Sequence, residues 1–292
     1  MNLHFPPFTL ENENLKILKK AFPWLENENI RTFSSPENAI AEMILALQHM
    51  QPHKSNVYIQ DGDSPYTSEI ATFFSKKGIK LKPLKLPITE VDENAFLYIF
   101  VKDNPFTGEL FPNDSVLKQI HEKRIFSLSI YHSQFLISSF QESNNPFASH
   151  LYCLQEDLAF LSLSSRAKKV PPALPRSTVS LAAWEPVIIH ENENLILEME
   201  KQLQDSLSGL QLYFTAEQNR MFDRVVFHIP KCNGEKVLHL LGDCEAYTSS
   251  PCAHSHPFQM AWWQNLDDAK SWVVIPLNSL RPDLPAKISK LI

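Results

Sequence analysis

The chain has 292 residues, of which 43% are hydrophobic, and a formal net charge of −6 at pH 7. This length predicts one large domain with a smaller second lobe. The negative charge, with no run of Lys and Arg along the sequence, excludes nucleic acid as an expected partner, because neutralising phosphates needs concentrated cations.

The sequence contains no obvious membrane or export signal. No apolar stretch is as long as the roughly 18 residues that cross a bilayer. The N-terminal residues, starting MNLHFPPFTL, lack the basic start and apolar run of a signal peptide. We therefore expect a cytoplasmic protein with no membrane partner.

Glycine is scarce, at 6 residues, whereas proline is abundant, at 21. Phosphate-binding loops use glycine where the backbone must approach a ligand closely. No G-x-G-x-x-G, P-loop, G-x-S-x-G or H-E-x-x-H pattern occurs. The sequence therefore excludes glycine-rich nucleotide loops and the commonest hydrolase and metalloprotease sites.

The four cysteines are too few in a chain of this length to indicate a disulfide framework, so free thiols are expected. They are Cys153, Cys232, Cys244 and Cys252. Two of them lie close to two histidines, and thiolates and imidazoles are good zinc ligands. This group consists of Cys244, Cys252, His254 and His256. Its spacing matches no familiar structural zinc site, so we predict a polar loop without a metal.

A helix is predicted to begin at Pro36. Ser34 and Ser35 precede it as capping residues, proline suits the first helical position, and Glu37 lies three residues after Ser34, as in a capping box. The apolar residues that follow keep helical spacing: Ile40, Met43, Ile44 and Leu47.

Beyond this helix, strands alternate with helices. The predicted strands are short apolar runs at 57–59, 79–84, 96–101, 125–130 and 158–163. The predicted helices between them span 67–77, which Gly78 ends, and 113–123. The alternation predicts an α/β fold with a mostly parallel sheet that helices cover on both faces.

The composition changes at 170–175, where four of the six residues are Pro or Ala. Beyond it, the predicted elements are helices over 191–208 and 235–241 and strands at 211–214, 224–229 and 272–275. This order predicts a smaller C-terminal α+β domain. We assign residues 1–180, with an N-terminal arm, to the large domain and residues 181–292 to the small one.

Three features near the predicted sheet edge could hold a ligand. The helix start at Pro36 offers unpaired N–H groups, and Ser34 and Ser35 add hydroxyls, although a capped helix without a ligand is the alternative. Asn104 follows an apolar strand, at the edge where α/β folds bind ligands, but it could equally form a turn. Tyr66 could stack on an aromatic ring or pack in the core.

In this order, the segments resemble the pyridoxal phosphate (PLP) enzymes of fold type I, nearest the threonine aldolase and β-eliminating lyase branch. Residues 34–39 resemble the phosphate-binding helix start of that branch, and 61–86 resemble the segment that begins with its ring-stacking residue. Residues 103–112 resemble its Glu-Asn-x-x-x-Gly-Gly-x-x-Pro stretch. The resemblance covers about residues 30–230 and implies a homodimer with an amino acid as small-molecule ligand.

The sequence departs from that family at two residues that its chemistry requires. The family's S-x-S-K loop supplies the lysine that forms the Schiff base, and the run 160–169 has Ser165 in that place. An aspartate of the family pairs with the pyridine nitrogen, and Tyr131 stands there instead. Arg220 and Arg281 are the candidates for the arginine that would hold a substrate carboxylate.

Two functions are compatible with these residues. The first is a protein that kept the fold, lacks PLP and its usual chemistry, and acts by binding. The alternative is an active PLP-dependent lyase, aldolase or aminotransferase on an amino acid, in which Lys168 or Lys169 forms the Schiff base. We favour the first, because a serine hydroxyl cannot form an imine and an alignment shift would not also explain Tyr131.

Overall fold

A computed structural model divides the chain into two compact units: residues 1–103 with 112–188, and residues 104–111 with 189–292. The residues that the structure describes are 7–22, 30–60, 70, 73–84, 88, 90–104, 107–111, 114–132, 148–155, 158–164, 166–169, 179–182, 184, 192–214, 220–230, 232–242, 246–248 and 272–291. The second unit thus begins eight residues beyond the predicted boundary near residue 180, and it also includes the 104–111 segment.

The first unit contains a seven-stranded sheet and the helices packed on it. The helices are α1 (Pro7–Ala21), α2 (Pro36–Met50) and α3 (Asp114–Glu122). The strands are β1 (Ile30–Phe33), β2 (Asn56–Gln60), β3 (Lys80–Leu84), β4 (Ala95–Val101), β5 (Phe126–Tyr131), β6 (Ser149–Gln155) and β7 (Leu158–Ser162).

The strands follow the order β1-β7-β6-β5-β4-β2-β3. β3, β2, β4, β5 and β6 run parallel to one another, whereas β7 pairs antiparallel with both β6 and β1. The prediction of a mostly parallel sheet is confirmed. We call the edge where the five parallel strands end the carboxyl-terminal edge, and the edge where they begin the amino-terminal edge.

Helices cover both faces of this sheet. α2 packs Ile40 on one face, in the cluster that contains Ile99 of β4. α3 packs Leu117 on the other face, in the cluster that contains Phe100. Because side chains alternate along a strand, the neighbours Ile99 and Phe100 belong to opposite layers. The predicted coverage of both faces is confirmed.

A row of stacked aromatic rings crosses the face of the sheet to which Phe100 belongs. The ring of Tyr131 lies 4.9 Å from that of Tyr152, which lies 4.5 Å from that of Phe160. Phe22, just after α1, lies 5.8 Å from Phe160. Each such pair adds about 0.5–1.5 kcal/mol beyond the area that it buries. The row therefore ties β5, β6, β7 and the end of α1 together.

The N-terminus of α2 begins at Pro36 and is capped by a serine, as predicted. Ser35 is the N-cap, and its hydroxyl accepts a hydrogen bond from the backbone N–H of Asn38 at 3.3 Å. Pro36 occupies the first helical turn, as predicted. The cap thus satisfies the backbone N–H of Asn38 in the first turn of the helix.

Asp92 organises the amino-terminal edge near β2 and β4. Its carboxylate accepts hydrogen bonds from Asn56 Nδ2 at 2.7 Å and the Tyr58 hydroxyl at 2.9 Å, and lies 3.5 Å from Lys82 Nζ. Its backbone N–H donates to the Tyr98 hydroxyl at 2.8 Å. One carboxylate thus satisfies several part-buried polar groups.

The second unit contains a four-stranded antiparallel sheet in the order β10-β11-β9-β8. The strands are β8 (Gln211–Leu212), β9 (Arg224–His228), β10 (Tyr247–Thr248) and β11 (Trp272–Pro276). The helices are α4 (Glu193–Ser206), α5 (Gly234–Leu241) and α6 (Leu284–Ile288). One hydrophobic core of this unit contains Ile196 of α4, Phe227 of β9 and Val273 of β11. Helix and strands therefore pack together, in agreement with the predicted α+β lobe.

None of the helices in the described ranges of either unit is long and apolar enough to cross a membrane.

The first prediction concerns packing against β-strands of the first unit. Phe74 is 0% exposed, whereas its neighbour Phe73 is 51% exposed. We expect Phe74→Ala to lower the free energy of unfolding by about 3–5 kcal/mol, because it leaves a cavity in the core. We expect Phe73→Ala to cost less than about 1 kcal/mol. Urea denaturation measures both, and equal losses would contradict this arrangement.

The second prediction concerns alkaline pH. Burial raises the pKa of Tyr98 from 10.0 to about 12. The folded state therefore favours the neutral phenol, and the resulting stabilisation is complete below about pH 10 and is lost as the pH rises towards about 12. We expect Tyr98→Phe to reduce this alkaline loss of stability. A denaturant titration repeated across that pH interval measures it, and an unchanged pH dependence in the variant would argue against the buried phenol.

Candidate functional site

The carboxyl-terminal edge of the first sheet is the candidate site, because open α/β folds bind ligands there. β4 and β5 reach this edge at Val101 and Tyr131. The end of β1 lies there too, since Phe33 pairs with Ala159 at the start of β7, and β7 runs antiparallel to β6. Ser34 and the start of α2 follow directly and so belong to the same edge.

An aspartate and a histidine meet where β4 and β5 end. The backbone N–H of His132 donates to Asp103 Oδ1 at 2.8 Å, and the ring Nδ1 lies 3.1 Å from the Asp103 carbonyl oxygen. Because a carbonyl oxygen only accepts, this contact places a proton on Nδ1 of His132. The two side chains are 4% and 1% exposed. Asp103 and His132 are therefore a buried pair joined by two contacts.

The start of α2 lies near this pair. Burial raises the pKa of the Cys153 thiol well above its usual value, and the carboxylates of Asp103 and Glu37 raise that pKa further. Glu37 is in the first turn of α2 and Cys153 is in β6. The groups therefore share one neighbourhood, and the thiol stays protonated and is a poor nucleophile.

The predicted phosphate-binding serines are engaged by a neighbouring side chain. Ser35 Oγ caps the N–H of Asn38, and Ser34 Oγ accepts a hydrogen bond from Asn38 Nδ2 at 3.0 Å. Asn38 therefore spans the start of the helix. These contacts match the capped-helix alternative more closely than an open phosphate seat.

Asn104 forms a turn, which was the alternative to ligand binding. Its Oδ1 accepts from the Thr107 N–H at 3.1 Å, and its carbonyl oxygen accepts from the Gly108 N–H at 2.8 Å. Gly108 has a φ of 77°, and a Cβ there would lie 3.3 Å from Arg224 Nε. The turn thus requires glycine, and it belongs to the second unit.

Tyr131, which replaces the aspartate of the resembling family, lies at the end of β5 and is 0% exposed. Its ring stacks on Tyr152, and its hydroxyl lies 3.4 Å from His150 Nδ1. The phenol is thus part of the aromatic row on one sheet face. It adds no negative charge to the edge.

Lys168 and Lys169 lie at the opposite edge. Because β7 runs antiparallel to β6, the chain leaves β7 beside the start of β6, and the Ser164 N–H donates to Ser149 Oγ there at 3.2 Å. Both lysines follow in an exposed 3-10 turn. The structure therefore does not bring them together with Ser34 or Tyr131. Ser165 itself lies outside the described residues.

The two candidate arginines are in the second unit. Arg220 donates to both carboxylate oxygens of Glu200, at 2.5 and 2.9 Å, and its guanidinium lies 4.8 Å from the rings of Phe214 and Phe222. An internal carboxylate thus already occupies the fork that would hold a substrate. Arg281 is exposed in the turn before α6.

Sequence reasoning missed two residues of the carboxyl-terminal edge. His132 follows β5 directly, and Lys102 follows β4 directly and is 8% exposed. The available signal was their position, because each is the first residue beyond a buried strand. Other sequence candidates lie outside the described residues: Tyr66, Cys244, Cys252, His254 and His256. Within the described ranges, no group of three or more His, Cys, Asp or Glu residues could hold a metal ion.

No protein-family model matches the sequence, and no curated protein sequence matches it. Solved structures do match the fold. The glycine decarboxylase (P-protein) of the glycine cleavage system has a TM-score of 0.71 at 13% identity, over 99% of this chain and 79% of that one. The cysteine desulfurase from Thermococcus onnurineus NA1 has a TM-score of 0.67 at 10% identity, over 96% and 82%.

A third similar structure is the histidinol-phosphate aminotransferase from Clostridium acetobutylicum, with a TM-score of 0.57 at 14% identity, over 99% of this chain and 90% of that one. These neighbours are PLP-dependent enzymes of fold type I, and this chain has their fold. At such low identities, the likeness extends to the fold alone.

The third prediction tests the buried Arg220–Glu200 pair. We expect Glu200→Gln to lower the free energy of unfolding by about 3–5 kcal/mol, because it leaves the Arg220 charge buried without its counter-ion. Glu198→Gln is the matched control, since Glu198 is exposed on the same helix, and it should change stability by less than about 0.5 kcal/mol. Chemical denaturation compares the two. Similar values would mean that Arg220 is not held by Glu200.

Proposed function

We propose that this protein has the fold of the PLP enzymes of fold type I without their usual chemistry, and that it acts by binding. The observation that carries the proposal is the position of Lys168 and Lys169. An amine that reacts with a ligand must reach the carboxyl-terminal edge, whereas these lysines follow β7 at the amino-terminal edge. The resemblance to the threonine aldolase branch remains a prediction about ancestry.

The other groups that PLP chemistry would require do not fit that cofactor either. Tyr131 packs in the aromatic row and carries no charge to balance a protonated pyridine nitrogen. The hydroxyls of Ser34 and Ser35 contact Asn38. Arg220 is bound by Glu200. Each of these differences from a PLP site has its own structural cause. This supports loss of the chemistry more than it supports an error in aligning this sequence with the family.

The carboxyl-terminal edge nevertheless retains polar groups that suit binding. Asp103 and His132 form a hydrogen-bonded pair there, and polar side chains at this edge suit a small polar ligand such as an amino acid. We propose a cytoplasmic homodimer as the working assembly, in line with the fold type. No covalent step is part of this proposal.

One observation favours the alternative of an active PLP enzyme. Lys102 directly follows β4 at the carboxyl-terminal edge and is 8% exposed, so it is the described lysine best placed to replace Lys168 or Lys169. The alternative therefore requires that one amine at this edge, that of Lys102, reacts with PLP.

The fourth prediction separates the two functions. Purified protein is mixed with PLP and reduced with borohydride, and the modified lysines are located by peptide mass spectrometry. We expect scattered labelling of exposed lysines such as Lys118, and no stoichiometric label at one position. The Lys102→Arg variant should give the same pattern. One stoichiometric label at Lys102 that this variant removes would overturn the proposal and support the enzyme.

A further inference from the structure

Five cations that are distant in the sequence gather at the amino-terminal edge of the first sheet. We call them the basic row: Lys54, Arg124, Arg166, Lys168 and Lys169. Lys54 lies two residues before β2 and Arg124 two residues before β5. The other three residues follow β7, whose end lies at the same edge. The fold thus builds a basic surface that the sequence, read as a line, does not contain.

Arg166 is held at the centre of the basic row. Its guanidinium lies 4.2 Å from the ring centre of Phe126, at the start of β5, and Nη2 donates to the carbonyl oxygen of Arg124. Lys54 Nζ donates to the carbonyl oxygen of Ala95, at the start of β4, at 3.1 Å. The two cations are therefore fixed above neighbouring strands and lose little freedom when an anion binds.

Arg124 itself has an unusual backbone. Its φ is 58°, in the left-handed region, and it is the one residue other than glycine with a positive φ in the described part of the chain. It follows α3, at a position where helices most often use glycine. A long cationic side chain is therefore present where a small residue would be less strained, which points to a use for its charge.

The described residues leave the basic row without a counter-ion. In the described ranges, no carboxylate lies within ion-pair distance of any of the five cations. The acidic residues nearest to Lys54 are Asp92, which contacts Lys82, and Glu93, which contacts Lys123. Asp92 and Glu93 therefore each form an ion pair with a cation that is not part of the basic row.

The charges of the row also oppose one another. Burial lowers the pKa of Lys54, and the charge of Arg166 lowers that pKa further. Burial also lowers the pKa of Arg166, and the charge of Arg124 adds to this effect. Anions that bound along the row would relieve this repulsion.

We propose that the basic row binds an acidic segment of a partner protein. The row extends from the start of β4 to the end of β7, which is about 15 Å across strands spaced near 4.8 Å. That length suits several carboxylates on an extended peptide better than a single oxyanion. Single-stranded nucleic acid fits less well, because its binding usually combines cations with exposed rings on which bases stack, whereas Phe126, the ring beneath Arg166, is only 4% exposed. The row lies at the edge opposite the candidate site, so the inference does not depend on the proposed function.

The fifth prediction measures binding of a fluorescent oligoglutamate peptide to the full chain by anisotropy, at about physiological ionic strength. We expect saturable binding that weakens as salt is added. Lys168→Glu/Lys169→Glu should weaken it at least tenfold, because two attractive charges become repulsive. Both lysines are exposed, so the fold should tolerate the change. The control, Lys201→Glu/Lys236→Glu, makes the same charge change at exposed helix positions of the second unit and should leave binding within about twofold.

Three results would overturn the inference. The first is no binding of the oligoglutamate peptide, or equal binding of an oligoglutamine peptide. The second is an equal loss in the control variant, which would mean that only the net charge matters. The third is tighter binding of a single-stranded oligonucleotide than of the peptide, with the same dependence on Lys168 and Lys169, which would assign the surface to nucleic acid instead.

Discussion

The antiparallel pairing of β6 with β7 is the constraint on which the rest of the structure depends. β6 ends at Gln155 and β7 begins at Leu158, so only two residues connect them at the carboxyl-terminal edge. Such a short connection reverses the chain, because a parallel crossover needs a dozen or more residues. Everything that follows β7 therefore leaves the sheet at the amino-terminal edge. Because of this reversal, Lys168 and Lys169 lie in the basic row and not at the candidate site.

Some of the polar side chains in each unit are satisfied by partners within the same unit. In the first unit, the Asp92 carboxylate accepts from Asn56, from Tyr58 and from the backbone N–H of Asn94, just before β4. In the second unit, Glu200 matches the fork of Arg220. Since a buried charge without its partner is costly, the buried Arg220–Glu200 pair fixes its local structure most strongly. Such groups are committed to the fold, which leaves few of them for a cofactor.

Much of the fold follows from local patterns in the sequence. The apolar runs of β4 and β5, the capped start of α2 at Pro36 and the amphipathic α4 each carry enough signal to be predicted, and the alternation implies a parallel sheet. β6 gives a weaker signal, because its apolar run is only four residues long, 151–154, and polar residues flank it on both sides. Without β6, the sequence pattern predicts β7 as another parallel strand. That pattern puts the loop with Lys168 and Lys169 at the carboxyl-terminal edge, whereas the structure has it at the amino-terminal edge, because one missed strand reverses the edge to which a loop belongs. Contacts between distant residues, such as Arg220 with Glu200, have no local signal at all.

The direction of β7 can be measured with pairs of spin labels, in a variant whose cysteines are replaced. Residues 124 and 168 should lie at one edge of the sheet, and residues 34 and 168 at opposite edges. Pulsed electron paramagnetic resonance should then give a distance for 34–168 that exceeds the distance for 124–168 by about 15 Å, roughly the length of a five-residue strand. A shorter distance for 34–168 than for 124–168 would place Lys168 beside the candidate site and contradict this account.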